Sequence, residues 1–270
     1  MQINILVSTI DGGIERVADL LLPARPGLNY LVSHQVIDEK FRVVPQALQR
    51  SDVKVGQLEG RGLCRNRNNS MAMADGDIAL LTDDDVRFRE EYIENLARAF
   101  SDDPEMDVGC FKIAVPGGRE TYKDYSEQPY SLNRESRHYL STIEIAFRVD
   151  AIKSRGLSFD ERFGLGSPLN SFGEEAVFIH DCIRAGLQVK YVPAYVVEHP
   201  LVSTIKSIER FATINTVFKG AYDARRYGWL ALPAAFYDTA RYRSSICGAG
   251  RRPLNYLRER LQGVRYILGR

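Results

Sequence analysis

The sequence predicts an α/β protein built on a mostly parallel, doubly wound sheet. Two observations predict it. Short apolar runs alternate with segments of helical spacing as far as about residue 200, the pattern of strand–helix–strand crossovers. One such run, Asp77-Ile78-Ala79-Leu80-Leu81-Thr82, ends in three adjacent carboxylates, Asp83-Asp84-Asp85. In open parallel sheets, ligands bind beyond the carboxyl ends of the strands.

The elements follow in order. Ile3 to Ser8 reads as a buried strand, ending at the turn Asp11-Gly12-Gly13. Ile14 to Leu22 has helical spacing and stops before Pro23. Tyr30 to Ser33 is a second strand, Val43 to Leu48 a short helix, and Val53-Lys54-Val55 a third strand. Gly62 to Ala74 is helical, and Ile78 to Leu81 is the strand that delivers the acidic run. In Glu90 to Phe100, Tyr92, Leu96 and Phe100 recur at i, i+4 and i+8, the spacing of one helix face. Met106 to Val115 is a strand. The polar stretch from Pro116 to Arg137 has little periodicity, and a loop of that length is usually functional. Ile143 to Phe147 returns to strand character, and Glu174 to Ala185 is helical, ending at Gly186. Val189 to Val192 and Ala194 to Val197 read as two short strands, and beyond His199 the chain is mainly helical.

Composition bounds the function. With 270 residues and a hydrophobic fraction of 44%, the chain has the length for a substantial core. A net charge of +1 gives no global case for nucleic acid, and none is expected as a partner. The cysteines Cys64, Cys110, Cys182 and Cys247 show no zinc spacing and read as reduced thiols, so a cytoplasmic location is expected. The opening Met1-Gln2-Ile3-Asn4-Ile5 enters a strand directly and does not read as a signal peptide. No apolar run approaches the roughly 20 residues that span a bilayer.

Three adjacent carboxylates persist where something cationic or protonated compensates them. A hard divalent ion, Mg2+ or Mn2+, completed by substrate phosphate, is one answer. A solvated acidic turn is the other.

The neighbouring motifs resemble those of family 2 glycosyltransferases. Gly62-Leu63 followed by Arg67-Asn68 resembles the segment that opens the helix ahead of that family's acidic strand. Asp75-Gly76-Asp77 and then Leu80-Leu81-Thr82-Asp83-Asp84-Asp85 resembles its approach to the DxD motif. Phe163-Gly164-Leu165-Gly166 with Gly173-Glu174-Glu175 resembles its second acidic element, and Val192-Pro193 with His199-Pro200 its late histidine. The resemblance covers about residues 3 to 205 and departs from the family in three places. Ser33-His34-Gln35-Val36 stands where an Asp-rich turn often helps to hold the base, Ser70 where Gly is frequent, and Glu175 where Asp is usual.

The resemblance implies a GT-A fold: a Rossmann-like, mostly parallel sheet flanked by helices, with a C-terminal helical extension. Residues 1–115 form the nucleotide-sugar half, 116–205 the acceptor and catalytic half of the same domain, and 206–270 a basic extension. It implies an inverting, metal-dependent sugar transferase that uses a nucleoside-diphosphate donor, UDP favoured with dTDP and GDP open, in surface polysaccharide or glycolipid assembly. Asp85 is the expected metal ligand, and Asp83 contacts ribose or metal-bound water. Asp84 lies at the variable centre of the motif, and His199 ligates the ion from the other side. A neutral imidazole suits Mn2+ better than Mg2+. Glu175 is the expected general base, with Glu174 the alternative; both also suit the first turn of a helix without catalysis. Thr9 and Asp11 fall where the family contacts uracil or ribose, Gln35 offers an amide to the base, and Arg67 offers a fork for diphosphate or a salt bridge to an aspartate. Glu144, in an apolar run, needs a partner, either a sugar hydroxyl or Arg148. A sugar-phosphate nucleotidyltransferase predicts a Gly-rich loop after the first strand, for which Asp11-Gly12-Gly13 is too short. A non-catalytic binding protein on the same fold predicts a missing ligand or base, and neither is missing.

From Arg241 to Arg270 there are eight arginines against one acid, Glu259. Leu254, Leu257, Leu261, Val264 and Leu268 recur at helical spacing. Such a helix lies on an anionic membrane at the inner face of the cytoplasmic membrane, close to a lipid-linked saccharide acceptor, or it packs on the catalytic domain or in a homodimer.

Overall fold

The computed structural model describes residues 1–118, 121–133, 140–170, 172–201 and 212–269. The chain divides into two compact units, Met1–Phe159 with Phe178–Leu201, and Asp160–Val177 with Val202–Arg270. Residues 160–177 therefore group with the C-terminal helices. The loop expected from Pro116 to Arg137 lies partly outside the described residues.

The first unit is an eight-stranded sheet in the order β3-β2-β1-β4-β7-β5-β8-β6. The strands are β1 (Ile3–Ile10), β2 (Leu28–Val36), β3 (Val53–Glu59), β4 (Ile78–Asp83), β5 (Val108–Ala114), β6 (Tyr130–Ser131), β7 (Ile145–Arg148) and β8 (Val189–Glu198). β1 pairs in parallel with β2 and β4, β2 with β3, and β5 with β8. Short β7 is antiparallel to both β4 and β5 and joins the two parallel halves. The sheet is thus mostly parallel, and its central strands are buried on both faces, as covered parallel sheets are.

Side-chain alternation sorts the strands into two cores. Ile5, Val7, Tyr30, Val32, Ile78 and Leu80 point to one. That face is covered by Ile14, Val17 and Leu20 of the Asp11–Leu20 turn and by Ile93, Leu96 and Phe100 of α2 (Glu90–Asp102). Leu6, Leu31, Ala79 and Leu81 point to the other. Cys64 and Met71 of α1 (Leu63–Met73), Val149 and Ile152 of α3 (Val149–Ser154), and Phe178 and Cys182 of α4 (Glu174–Arg184) cover it.

Four local expectations are corrected. Asp11–Leu20 is a 3-10 helix, not an α-helix. The strand expected over 143–147 begins only at Ile145, because Thr142–Glu144 forms a 3-10 turn whose Glu144 carboxylate accepts from the Ser141 N–H at 2.8 Å. The two strands expected on either side of Pro193 are one strand, β8. Its register against β5 shifts between Cys110 and Ile113, and the irregularity accommodates a residue with no N–H to donate. The arginines of the C-terminal helix are not all solvated: Arg260 is fully buried.

The second unit contains α5 (Thr213–Tyr227), α6 (Ala231–Arg241), α7 (Arg243–Gly248) and α8 (Pro253–Leu268). α5 and α8 touch backbone to backbone at two glycines. A Cβ on Gly220 would overlap the Arg260 carbonyl, and one on Gly263 would overlap the Val217 carbonyl. Arg260 reaches Asp223 at 2.7 Å and Asp238 at 3.1 Å, and Lys219 holds Asp223 from the other side at 2.7 Å. The inward face of α8 is Tyr256, Arg260, Gly263 and Val264; of the expected stripe only Val264 is buried, Leu257, Leu261 and Leu268 are half-buried and Leu254 is exposed. Among the described residues no helix is long and apolar enough to cross a membrane.

Candidate active site

The carboxyl ends of β1, β4 and β8 bring Thr9, the Asp83-Asp84-Asp85 run and His199 together. Burial alternates along 83–88, with Asp84, Val86 and Phe88 inward and Asp85 and Arg87 outward. The three aspartates therefore have different environments.

Asp84 faces inward with both oxygens engaged. Thr9 Oγ1 donates to Oδ2, and Arg16 Nη2 reaches Oδ1 at 2.6 Å. Burial raises its pKa, and the Thr9 and Arg16 contacts oppose the rise. Gly13 makes this approach feasible, since a Cβ there would overlap Asp84 Oδ2 and Thr9 Oγ1. The sequence does not point to Arg16, and Gly13 reads there only as part of the turn Asp11-Gly12-Gly13. The only signal was a glycine pair immediately after a buried strand.

Asp83 meets Arg67 Nη2 at 3.3 Å. Its pKa is raised by desolvation, and Arg67 pulls it back. Arg67 is buried in α1 with its guanidinium 5.6 Å from the centre of the Phe159 ring. Asn68 fixes that ring's backbone, donating to the Phe159 carbonyl at 3.0 Å and accepting from its N–H at 2.8 Å. Asn66 Nδ2 donates to the Thr9 carbonyl at 2.9 Å, which ties α1 to the end of β1. Of the two contacts expected for Arg67, the salt bridge to an aspartate is the one present.

Asp85 is outward, and His199 Nε2 stands 3.5 Å from its Oδ2. A two-way backbone pair brings them together: the Arg87 and Glu198 N–H groups each donate to the other's carbonyl at 2.9 Å. Arg89 Nη2 adds a contact to Glu198 at 2.6 Å. His199 Nδ1 lies 2.6 Å from the Pro200 carbonyl, and its ring meets Tyr122 edge-on at 5.6 Å. The hydrogen bond with Asp85 raises the His199 pKa and lowers that of Asp85. Among the described residues no cluster of three or more His, Cys, Asp or Glu is arranged for a metal. Asp85 and His199 set a hard oxygen beside an imidazole nitrogen, a combination that would suit a divalent ion only if other oxygens completed its shell.

The residues expected on the base side are tied within the protein. Asp11 has φ of 45°, and its Oδ1 accepts from the Ile37 and Asp38 N–H groups at 2.7 and 3.0 Å, linking the ends of β1 and β2. His34 Nε2 lies 3.0 Å from the Asp11 carbonyl. Gln35 Nε2 donates to the Gly62 carbonyl at 3.2 Å. The turn after β1 is a 3-10 helix and not a phosphate-cradling loop.

Glu144 is buried with partners other than those expected. Lys123 Nζ lies at 2.6 Å and Tyr125 OH at 3.0 Å. Arg148 instead donates to the carbonyls of Met106 at 2.9 Å and Phe100 at 2.8 Å. Burial raises the Glu144 pKa, and Lys123 opposes the rise. Glu174 and Glu175 belong to the second unit, in the first turn of α4, where Glu174 is buried and Glu175 half-buried.

Residues 34–159 match the family described as Glycosyl transferase family 2. That segment resembles a family 2 glycosyltransferase domain. The chain has its acidic run and Arg67-Asn68 within the match, whereas Thr9, Glu175 and His199 fall outside it. No curated protein sequence matches the chain significantly. Among solved structures, residues 1–349 of S. aureus TarS match with a TM-score of 0.56 and 17% identity, over 83% of this chain and 65% of that one. The same TarS fragment in complex with UDP matches with a TM-score of 0.54 and 20% identity, over 80% and 65%. Its complex with UDP-GlcNAc matches with a TM-score of 0.54 and 15% identity, over 83% and 67%. These likenesses show the GT-A fold around the family 2 match, and the chain spans about two thirds of the TarS fragment it matches.

Proposed function

We propose that the protein transfers a sugar from a nucleoside-diphosphate donor to an acceptor hydroxyl with inversion at the anomeric carbon. The observation that carries this reading is the Asp85–His199 pair, 3.5 Å apart at the carboxyl ends of β4 and β8, in a chain with a family 2 match. Uridine is the favoured base because the structural neighbours include complexes with UDP and UDP-GlcNAc.

Asp85 and His199 would hold Mn2+ or Mg2+, which when bound neutralises charge on the leaving diphosphate. Arg67 holds Asp83 in place, and Asp84 locks the turn to β1 through Thr9 and Arg16. Gln35 and Asp11 stand at the strand ends on the base side. Glu175 takes the proton from the acceptor hydroxyl as its oxygen bonds to the anomeric carbon, and the bond to the diphosphate oxygen breaks with the electron pair leaving on phosphate. A single carboxylate base without a covalent intermediate gives one displacement and hence inversion. A saccharide, free or lipid-linked, is the acceptor class.

The test is calorimetric titration of UDP, GDP, dTDP and CMP, each with and without Mn2+. Metal-dependent binding of one diphosphate, lost in Asp85→Asn, is expected. Binding indifferent to both metal and Asp85 would overturn the metal-centred reading.

A further inference from the structure

α6 is built inside out. Its inward positions are Ala231 and Ala235, both fully buried. Leu232 packs partly inward, but Phe236 is 56% exposed and Tyr237 61%, and the preceding 3-10 turn Gly228–Leu230 adds Trp229 at 53% and Leu230 at 69%. Leu230, Pro233, Phe236, Tyr237, Ala240 and Arg241 recur at helical spacing, so they form one stripe along the helix. No charged residue interrupts the chain from Gly228 to Tyr237. Folding usually buries the large apolar groups and leaves the small ones tolerant of exposure, so a reversed helix marks a face with another use.

Charge selects that use. From Ala224 to Arg270 the chain carries ten arginines, no lysine and two acids, Asp238 and Glu259. Both acids are held inside the unit, Asp238 by Arg260 at 3.1 Å and Glu259 by Arg251 at 2.5 Å. Arg241, Arg243 and Arg252 are exposed. The Arg241 guanidinium lies 5.9 Å from the Tyr237 ring centre, and Arg226 lies 5.1 Å from that of Tyr227. Trp and Tyr suit a boundary that is apolar on one side and wet on the other. A stripe of Leu, Phe, Tyr and Trp rimmed by arginine fits an apolar layer beneath negative headgroups. A two-fold contact between copies would set arginine against arginine.

We propose that this Trp229–Arg243 face docks the protein on the surface of an anionic lipid bilayer. Leu230, Phe236 and Tyr237 enter the boundary between headgroups and acyl chains, and Arg241 and Arg243 meet the phosphates. The membrane contact anticipated for residues 241–270 thereby centres on α6 and the start of α7, while α8 supports them from within. The inference does not depend on the transferase reading, since lipid binding is measured without nucleotide.

Trp229 is the chain's single tryptophan, so its fluorescence reports this face alone. The full chain is titrated with unilamellar vesicles of phosphatidylcholine, pure or with about a third phosphatidylglycerol. A blue shift and protection from iodide quenching are expected with the anionic vesicles, at least tenfold weaker with the neutral ones and weakened by salt. Leu230→Ser/Phe236→Ser, and separately Arg241→Gln/Arg243→Gln, should each lower co-sedimentation at least fivefold while leaving the circular dichroism and melting temperature unchanged. Absence of a shift with anionic vesicles overturns the proposal, as does undiminished co-sedimentation of both folded variants. A blue shift that follows protein concentration without lipid, with dimers in sedimentation velocity, would assign the face to a second copy and overturn it too.

Discussion

His199 Nε2 stands 3.5 Å from Asp85 Oδ2, joining the residue after β8 to the turn after β4. One backbone pair, Arg87 with Glu198, holds both at the same edge of the sheet. A protonated imidazole has no lone pair left for a cation, so the proton that completes this ion pair competes with any metal for the same nitrogen.

That competition fixes a pH dependence. Asp85 holds the His199 pKa above its ordinary value, and His199 holds that of Asp85 below. In metal-free protein the histidine's contribution to stability is complete below the unfolded-chain value of about 6.5 and is lost as pH rises through the raised folded value. The aspartate's contribution is present above its unfolded value and lost as pH falls through the depressed folded one. Affinity for Mn2+ with UDP should run the opposite way to the histidine's contribution, strengthening as pH rises through the raised His199 value and then levelling. Titrations across that window should show the slope in the native chain and a much flatter response in His199→Ala. Equal slopes would remove His199 from the metal's shell.

Asp84 and Asp85 are adjacent, yet their substitutions should separate. Asp84 is buried with both oxygens taken, so Asp84→Ala strands the Thr9 hydroxyl and frees Arg16. A loss of about 1–3 kcal/mol in denaturant unfolding is expected. Gly13→Ala should give a comparable loss, because the added methyl overlaps the same carboxylate. Asp85→Ala, on the outward side, should cost less stability than Asp84→Ala, only the share of the His199 pair, and weaken metal-dependent nucleotide binding. The reverse assignment would show as a stable Asp84→Ala that no longer responds to metal.

Much of this arrangement was legible in the sequence because it rests on short-range patterns. The alternation of strands and helices, the acidic run at the end of Ile78–Leu81 and the Gly62-Leu63 and Arg67-Asn68 pairs all lie within single elements. What escaped was long-range. β7 joins the sheet antiparallel through only four residues, too short for periodicity to declare its direction. Arg16 meets Asp84 across 68 positions of sequence, and Glu144 takes Lys123 and Tyr125 from a loop with no regular pattern. Arg260 looked like one more solvated arginine on an exposed helix. Its burial follows from Gly220 and Gly263, which let α5 and α8 close around it.

The buried charges of the second unit make Arg260 the residue on which that unit depends. Arg260→Ala leaves Asp223 with Lys219 alone and removes the Asp238 contact, so unfolding should become easier by about 3–5 kcal/mol. Arg260→Met/Asp223→Leu/Asp238→Leu removes all three charges and should recover much of that loss, since an apolar set of similar volume needs no desolvation of ions. Chemical denaturation of both variants measures the difference. If the triple variant were no more stable than Arg260→Ala, the network would contribute beyond simple charge compensation.

Glu174 and Glu175 share the first turn of α4 but not its exposure. Glu174 is 5% exposed, while Glu175 is half-buried. Removing a general base typically costs about 10²- to 10⁴-fold in rate. Glu175→Gln should therefore lower kcat by that order with the donor KM and the melting temperature little changed. Glu174→Gln should act chiefly on stability, because a buried carboxylate in a helix's first turn contributes to folding through its contacts and the helix dipole. Single-turnover rates with saturating donor and a small panel of sugar acceptors separate the two effects. A Glu175→Gln variant that keeps full turnover beside a dead but folded Glu174→Gln would move the base one residue toward the N-terminus.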